Sequence, residues 1–227
     1  MKIFYRYISI AIAFIGLVQH ASAQQGRNLN DHVLIKMSQQ SVYQPVSEEH
    51  EGSPYMHGEF VEGNVYINEG KSTGLPLRYN IYKDFVEFKK GTLTYVLDPN
   101  LTINKITIGS DTLIVAKYLA GGKEKLGFFN LIASGKTSLL VKHVVKYREA
   151  QPPKALETEG KLAKYTEYPS EYYVKFANGE LVEADNVKKL IPKFPGKQDE
   201  LNAYVKENKI SKKDDLKKLI DYYNSLQ

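Results

Sequence analysis

The chain has no cysteine and no tryptophan, and only 3 methionines in 227 residues. Without cysteine there can be no disulfide, no thiolate nucleophile, no cysteine-ligated metal and no lipidated lipobox. The core has to hold by packing alone. Long apolar runs are also missing: residues 8–18 form a short one, below the roughly 20 residues a membrane-spanning helix needs. No stable membrane insertion is expected. The charge is nearly balanced, with 31 basic and 26 acidic side chains. So mild an excess gives no polyanion-binding surface, and nucleic acid is not an expected partner.

The first 23 residues carry an address. Lys2 and Arg6 precede the apolar run, and Ala21-Ser22-Ala23 follows it. A charged start, a short apolar segment and an A-x-A site make a secretory signal peptide, with Ala21 and Ala23 at the cleavage site. A periplasmic or secreted location follows. Small secreted animal domains usually carry disulfide staples, so their absence here favours a bacterial exported protein.

Residues 24–53 are polar and read as a lead-in, partly disordered. Residues 54–150 read as an antiparallel β domain. Leu75, Leu77, Tyr79 and Ile81 alternate with Pro76, Arg78, Asn80 and Tyr82, the period of a half-buried strand. Leu93, Tyr95 and Leu97 repeat the pattern. Leu139, Val141, His143, Val145 and Tyr147 extend it, with Ser138, Lys142, Lys146 and Arg148 assigned to the other face. Turn signals about every ten residues point to a sandwich or barrel-like sheet.

Residues 151–227 read as a crossing loop at 151–162, a β-hairpin and a helical tail packed on the sheet. The hairpin turns at Asn178-Gly179, a pair suited to a type I′ turn. One short helix is expected over 198–208. A second follows Ser211 as N-cap, with Leu216, Leu219, Ile220 and Tyr223 on one face. The fold class is mainly β with a small C-terminal α part.

No motif carries a cofactor or a metal. Gly135-Lys136-Thr137 imitates the end of a phosphate loop, but Asn130 stands where the first glycine belongs, so it reads as a hairpin turn. His32, His50, His57 and His143 show no metal-ligand spacing. Glu48-Glu49-His50-Glu51 reads as a solvated loop. The lysines of the tail alternate with acids and read as a solvated helix face.

Three residues stand out as ligand-binding candidates. Arg78 and Tyr82 lie on the surface-directed side of their strand, where tyrosine can stack on a ligand. His143 falls on the apolar side of its strand, either as a core imidazole or as a polar group in a cavity.

The segments Gly63-Asn64-Val65-Tyr66, Pro76-Leu77-Arg78-Tyr79-Asn80-Ile81-Tyr82-Lys83-Asp84-Phe85-Val86-Glu87-Phe88, Gly127-Phe128-Phe129 and Glu149-Ala150-Gln151-Pro152-Pro153-Lys154 carry a likeness, as does Asp221-Tyr222-Tyr223-Asn224. Together they resemble a family of exported, signal-bearing proteins of Bacteroidota with no assigned activity. The resemblance implies compartment and lineage, and brings no catalytic residues. The expected function is an exported, non-catalytic binding or accessory protein for a protein, glycan or lipid ligand of the cell envelope. The alternatives are a small-ligand or lipid carrier with a cavity in the β domain, and a hydrolase with a dispersed site.

Overall fold

The computed structural model describes residues 38–39, 49–68, 70–97, 102–153 and 158–227. Residues 1–23, where a signal peptide with Ala21 and Ala23 at its cleavage site is expected, and most of the polar lead-in lie outside the described residues.

The strands are β1 (Ser38–Gln39), β2 (His50–Glu51), β3 (Val61–Ile67), β4 (Gly70–Asn80), β5 (Phe85–Lys90) and β6 (Leu93–Leu97). They continue as β7 (Ile103–Ile108), β8 (Asp111–Ala120), β9 (Lys123–Ala133), β10 (Ser138–Arg148), β11 (Ala163–Lys175) and β12 (Leu181–Glu183). Helices α1 (Val187–Leu190), α2 (Gln198–Glu207) and α3 (Leu216–Ser225) follow. One sheet contains every strand, in the order β1-β6-β5-β4-β3-β7-β8-β9-β10-β11-β12. Neighbours are antiparallel except β2, which lies parallel to β11. The fold is mainly β with a small α part, as the sequence indicates, but its sheet is open and mixed.

The sheet curls, so distant strands meet across its concave face. Tyr79 on β4 packs on Phe128 of β9, 6.0 Å between ring centroids, although β3, β7 and β8 lie between them. Val65, Leu77, Tyr79, Val86, Ile106 and Phe128 belong to this first core. A second core sits where the helices cover the sheet, joining Leu139 and Val174 to Leu190, Phe194, Leu201, Leu219 and Ile220. A third lies on the opposite face of β8–β11, built from Ala116, Phe129, Leu140 and Tyr173. Consecutive Phe128 and Phe129 are both fully buried, one in each of two cores. Both faces of this part of the sheet are therefore covered, and simple alternation fails there.

Alternation holds in β4, where Leu75, Leu77, Tyr79 and neighbouring Ile81 are all buried. The opposite side is less exposed than expected, because Asn80 is fully buried and Arg78 is half-buried. Lys142, assigned to the solvent face, is buried for the same reason as Phe129. His50-Glu51, expected in a solvated loop, forms a short strand, and Glu51 pairs with Lys164 at 2.7 Å.

The hairpin β11–β12 forms with Val174 opposite Val182, but its turn differs from expectation. Gly179 N–H donates to the Phe176 carbonyl and Phe176 N–H to that of Glu180. Gly179 has φ +87° while Asn178 is not in the left-handed region. A type I′ turn needs both, so the glycine alone supplies the reversal in a three-residue loop. Among the described residues of the C-terminal part, three helices form where two were expected. The extra one, α1, is too short for a periodicity, and Asn186 caps it by accepting from Lys188 and Lys189 N–H. Helix α3 starts at Leu216 after a 3₁₀ turn at Lys213–Asp215, so Ser211 is not its cap. Its predicted stripe of Leu216, Leu219, Ile220 and Tyr223 is buried.

The Gly135-Lys136-Thr137 segment is a turn between β9 and β10. Asn224 of α3 grips it as a backbone would: its Nδ2 donates to the Thr137 carbonyl at 2.8 Å, and its Oδ1 accepts from Thr137 N–H at 3.0 Å. A Cβ at residue 135 would overlap the Asn224 amide, which explains the glycine. Asn224→Ala is expected to cost about 2 kcal/mol, since two partly buried backbone groups lose their partners. Urea denaturation checks this, with a midpoint shift at unchanged slope.

Candidate functional site

The site begins with a sharp turn between β4 and β5. Asn80 Oδ1 accepts from Lys83 N–H at 2.9 Å, and the Pro54 carbonyl accepts from Ile81 N–H at 2.8 Å. The turn ends on Asp84 with φ +55°, a left-handed conformation that aspartate tolerates better than most residues. This aims the Asp84 carboxylate across the concave face at β9.

There the sheet divides. β9 and β10 pair with each other only from Leu139↔Ala133 to Val141↔Asn130, and beyond that β9 continues paired with β8 alone and β10 with β11 alone. Continuing that register would set His143 opposite Phe128. Instead, Phe128 N–H donates to Asp84 Oδ1 at 3.2 Å, and the Phe128 carbonyl accepts from Lys142 Nζ at 3.1 Å. Asp84 and Lys142 pair at 2.5 Å, and Tyr79 Oη donates to Asp84 Oδ1 at 2.8 Å. The two side chains thus stand in for a missing strand partner. Gly127 makes room for them, because a Cβ there would lie 2.7 Å from Asp84 Oδ2 and 2.9 Å from Lys142 Nζ. Burial pulls the Lys142 ammonium below its ordinary range, and Asp84 opposes this. Burial, aided by Asp84, raises the Tyr79 phenol well above its own.

Beyond this pair lies a cleft of about 520 Å³. Tyr82, Lys83 and Asp84 line it from the β4–β5 turn, Tyr118 and Lys125 from the β8–β9 side, and His143 and Glu171 from the β10–β11 side. No family model, curated protein or solved structure matches the chain.

Two of the three sequence candidates line this cleft. Tyr82 is exposed, and its ring packs on Tyr147 and Tyr165 at centroid distances of 5.9 and 5.5 Å. His143 is half-buried, with Nδ1 3.3 Å from Ser170 Oγ and Nε2 buried without a partner among the described residues. Burial lowers the His143 pKa, while Glu167 and Asp111 counter that shift.

Arg78 lies elsewhere. Its Nε and Nη2 donate to Glu87 Oε2 at 3.1 and 2.8 Å, and its guanidinium lies 3.6 Å from the Tyr55 ring centroid and 4.3 Å from that of Phe60. Glu87 is fully buried, which raises its pKa despite the arginine. Arg78 is therefore engaged in a largely covered ion pair with Glu87, away from the cleft that Tyr82 and His143 line.

Sequence reasoning missed Asp84, Lys142 and Tyr79 as a unit. A lone lysine inside the apolar run Leu139-Leu140-Val141-Lys142-His143-Val144-Val145 is the signal that could have found it. Buried charges are rare unless paired. Among the described residues, no cluster of three His, Asp or Glu side chains could hold a metal ion.

Two outcomes are expected. Asp84→Asn leaves a buried lysine uncompensated and should destabilise the protein by about 3 kcal/mol, part of which adding Lys142→Met restores. A double-mutant cycle of urea melts measures both. The second concerns acid. Below pH 6.5 the unfolded chain takes up a proton at residue 143 that the native state resists, so stability falls as pH drops. His143→Gln should flatten that part of the pH–stability curve between pH 7.5 and 5.5.

Proposed function

We propose that this chain is an exported, non-catalytic binding protein that holds its ligand in the cleft between β9 and β10. The observation that carries this reading is that both carboxylates lining the cleft, Asp84 and Glu171, are already committed to partners within the protein. Asp84 accepts from Tyr79, Phe128 and Lys142, and Glu171 accepts from Tyr173 Oη at 3.0 Å. Such carboxylates are fixed in place, which suits recognition, and neither is left as a free base.

The hydrolase alternative would rest on Ser170 and His143. Their contact uses Nδ1, and Nε2 has no carboxylate to orient it among the described residues. A working triad needs that third group. The carrier alternative wants an apolar interior, whereas the large side chains of the first core fill that space. An open cleft with lysine and tyrosine walls favours a polar ligand over a lipid. The charged start, apolar run and A-x-A site of residues 1–23 support export, as does the resemblance to exported Bacteroidota proteins.

Native mass spectrometry of the mature chain, purified from its own cell envelope, tests the reading. A bound mass is expected, and Lys83→Glu with Lys125→Glu should remove it, since both lysines are exposed at the rim. A bound mass that persists undiminished in that variant argues against the cleft, and enzyme-like turnover of an ester, peptide or glycan panel ends the non-catalytic reading.

A further inference from the structure

The cleft is bounded by two strand edges as well as by side chains. Phe128 directs its N–H and carbonyl away from β8, towards the side where β10 would lie. Backbone groups alternate along a strand, so Leu126 presents its N–H and carbonyl on the same edge, two residues nearer the mouth. The β8–β9 ladder runs without a register break from Leu113↔Asn130 to Ala120↔Lys123, so this parity is preserved. No side chain among the described residues hydrogen-bonds to Leu126 as Asp84 and Lys142 do to Phe128. On the facing strand, continuation of the β9–β10 register sets Val145 opposite Leu126. Leu126 and Val145 both line the cleft.

Two unpaired, diverging edges form a template for an added strand. Open edges usually attract any extended chain, and lysines are the common guard against that. Here Lys83 and Lys125 stand at the cleft without an ion pair among the described residues, while Lys142 is neutralised by Asp84. Glu171 also lines the cleft, and the three lysines against Asp84 and Glu171 leave the lining with a net positive charge. A segment of alternating acidic and apolar residues would satisfy the edges with its backbone and the lysines with its carboxylates.

We infer that the ligand is an extended acidic peptide segment of a partner protein, which adds as a strand between β9 and β10 at the mouth of the cleft. The inference rests on the reading of this cleft as the binding site. The Asp84–Lys142 pair sets the inner limit of insertion, and the end of β9 at Lys123 leaves room for about four residues along that edge.

Fluorescence anisotropy of a labelled, end-blocked hexapeptide of alternating glutamate and valine tests this on the mature chain. Saturable binding is expected, weakened about tenfold or more when alternate amides are N-methylated, since each bridging hydrogen bond is lost. Leu126→Pro, which removes the N–H on the open edge, should weaken binding similarly, and Leu126→Ala should not. Lys83→Glu with Lys125→Glu should transfer preference to the lysine–valine peptide. Equal binding of the N-methylated peptide would overturn strand addition. If trigalacturonic acid binds and the peptide does not, the peptide inference fails while the cleft reading survives. If neither binds and native mass spectrometry finds no ligand, the cleft reading itself fails. Self-association abolished by Leu126→Pro would give the edge to a second copy and also overturn the inference.

Discussion

The charged pair of Asp84 and Lys142, set on the backbone of Phe128, is the constraint around which the sheet is organised. An open sheet that curls this far has to let two neighbouring strands part, and parting exposes backbone groups inside a covered layer. A buried N–H or carbonyl without a partner costs as much as a lost hydrogen bond. Here a carboxylate takes the N–H and an ammonium takes the carbonyl. The surrounding sequence follows from that solution. Gly127 leaves space for it, Asp84 adopts a left-handed backbone to reach it, and Tyr79 adds a third donor. The Asn80 side chain holds the turn that delivers Asp84.

The strands were readable because alternation of apolar and polar residues is a local property. β4, the core half of β6, the Gly135 turn and the stripe on α3 all follow from it. The departures share one cause. Arg78, Asn80 and Lys142 are polar residues at alternate positions, and alternation alone assigns such residues to solvent. Their burial depends on which distant strand covers that face, and pairing across the chain leaves no local trace. Arg78 meets Glu87 only because β4 and β5 pair with those residues opposite each other. Tyr82 and His143 reach one cleft through the curl, which no spacing in the sequence records. The turn at Asn178-Gly179 is a subtler case, in which the dipeptide marks the reversal but not the number of residues in the loop.

The cleft combines a rigid base with adaptable walls. Tyr82, Tyr147 and Tyr165 pack ring on ring at its margin, and Tyr118 packs edge-on against Phe129 at 5.3 Å. Aromatic contacts of this kind fix side chains at small entropic cost, because each ring has only two torsions to lose. Lys83 and Lys125, by contrast, are exposed and long. Geometry near the Asp84–Lys142 pair is therefore predetermined, while charge at the mouth can adjust to an incoming group.

The grip of Asn224 on Thr137 spans 87 positions of sequence. A turn this short would ordinarily close early, on the timescale of a hairpin. This one is completed by a side chain that arrives only when the last helix docks. Contacts of such long range require the entropy of a large loop to be met before they return any energy. The β9–β10 turn, at the root of the cleft, therefore depends on a contact of long range as well as on its own local pairing. The strands that border the cleft gain this contact only once the last helix has docked.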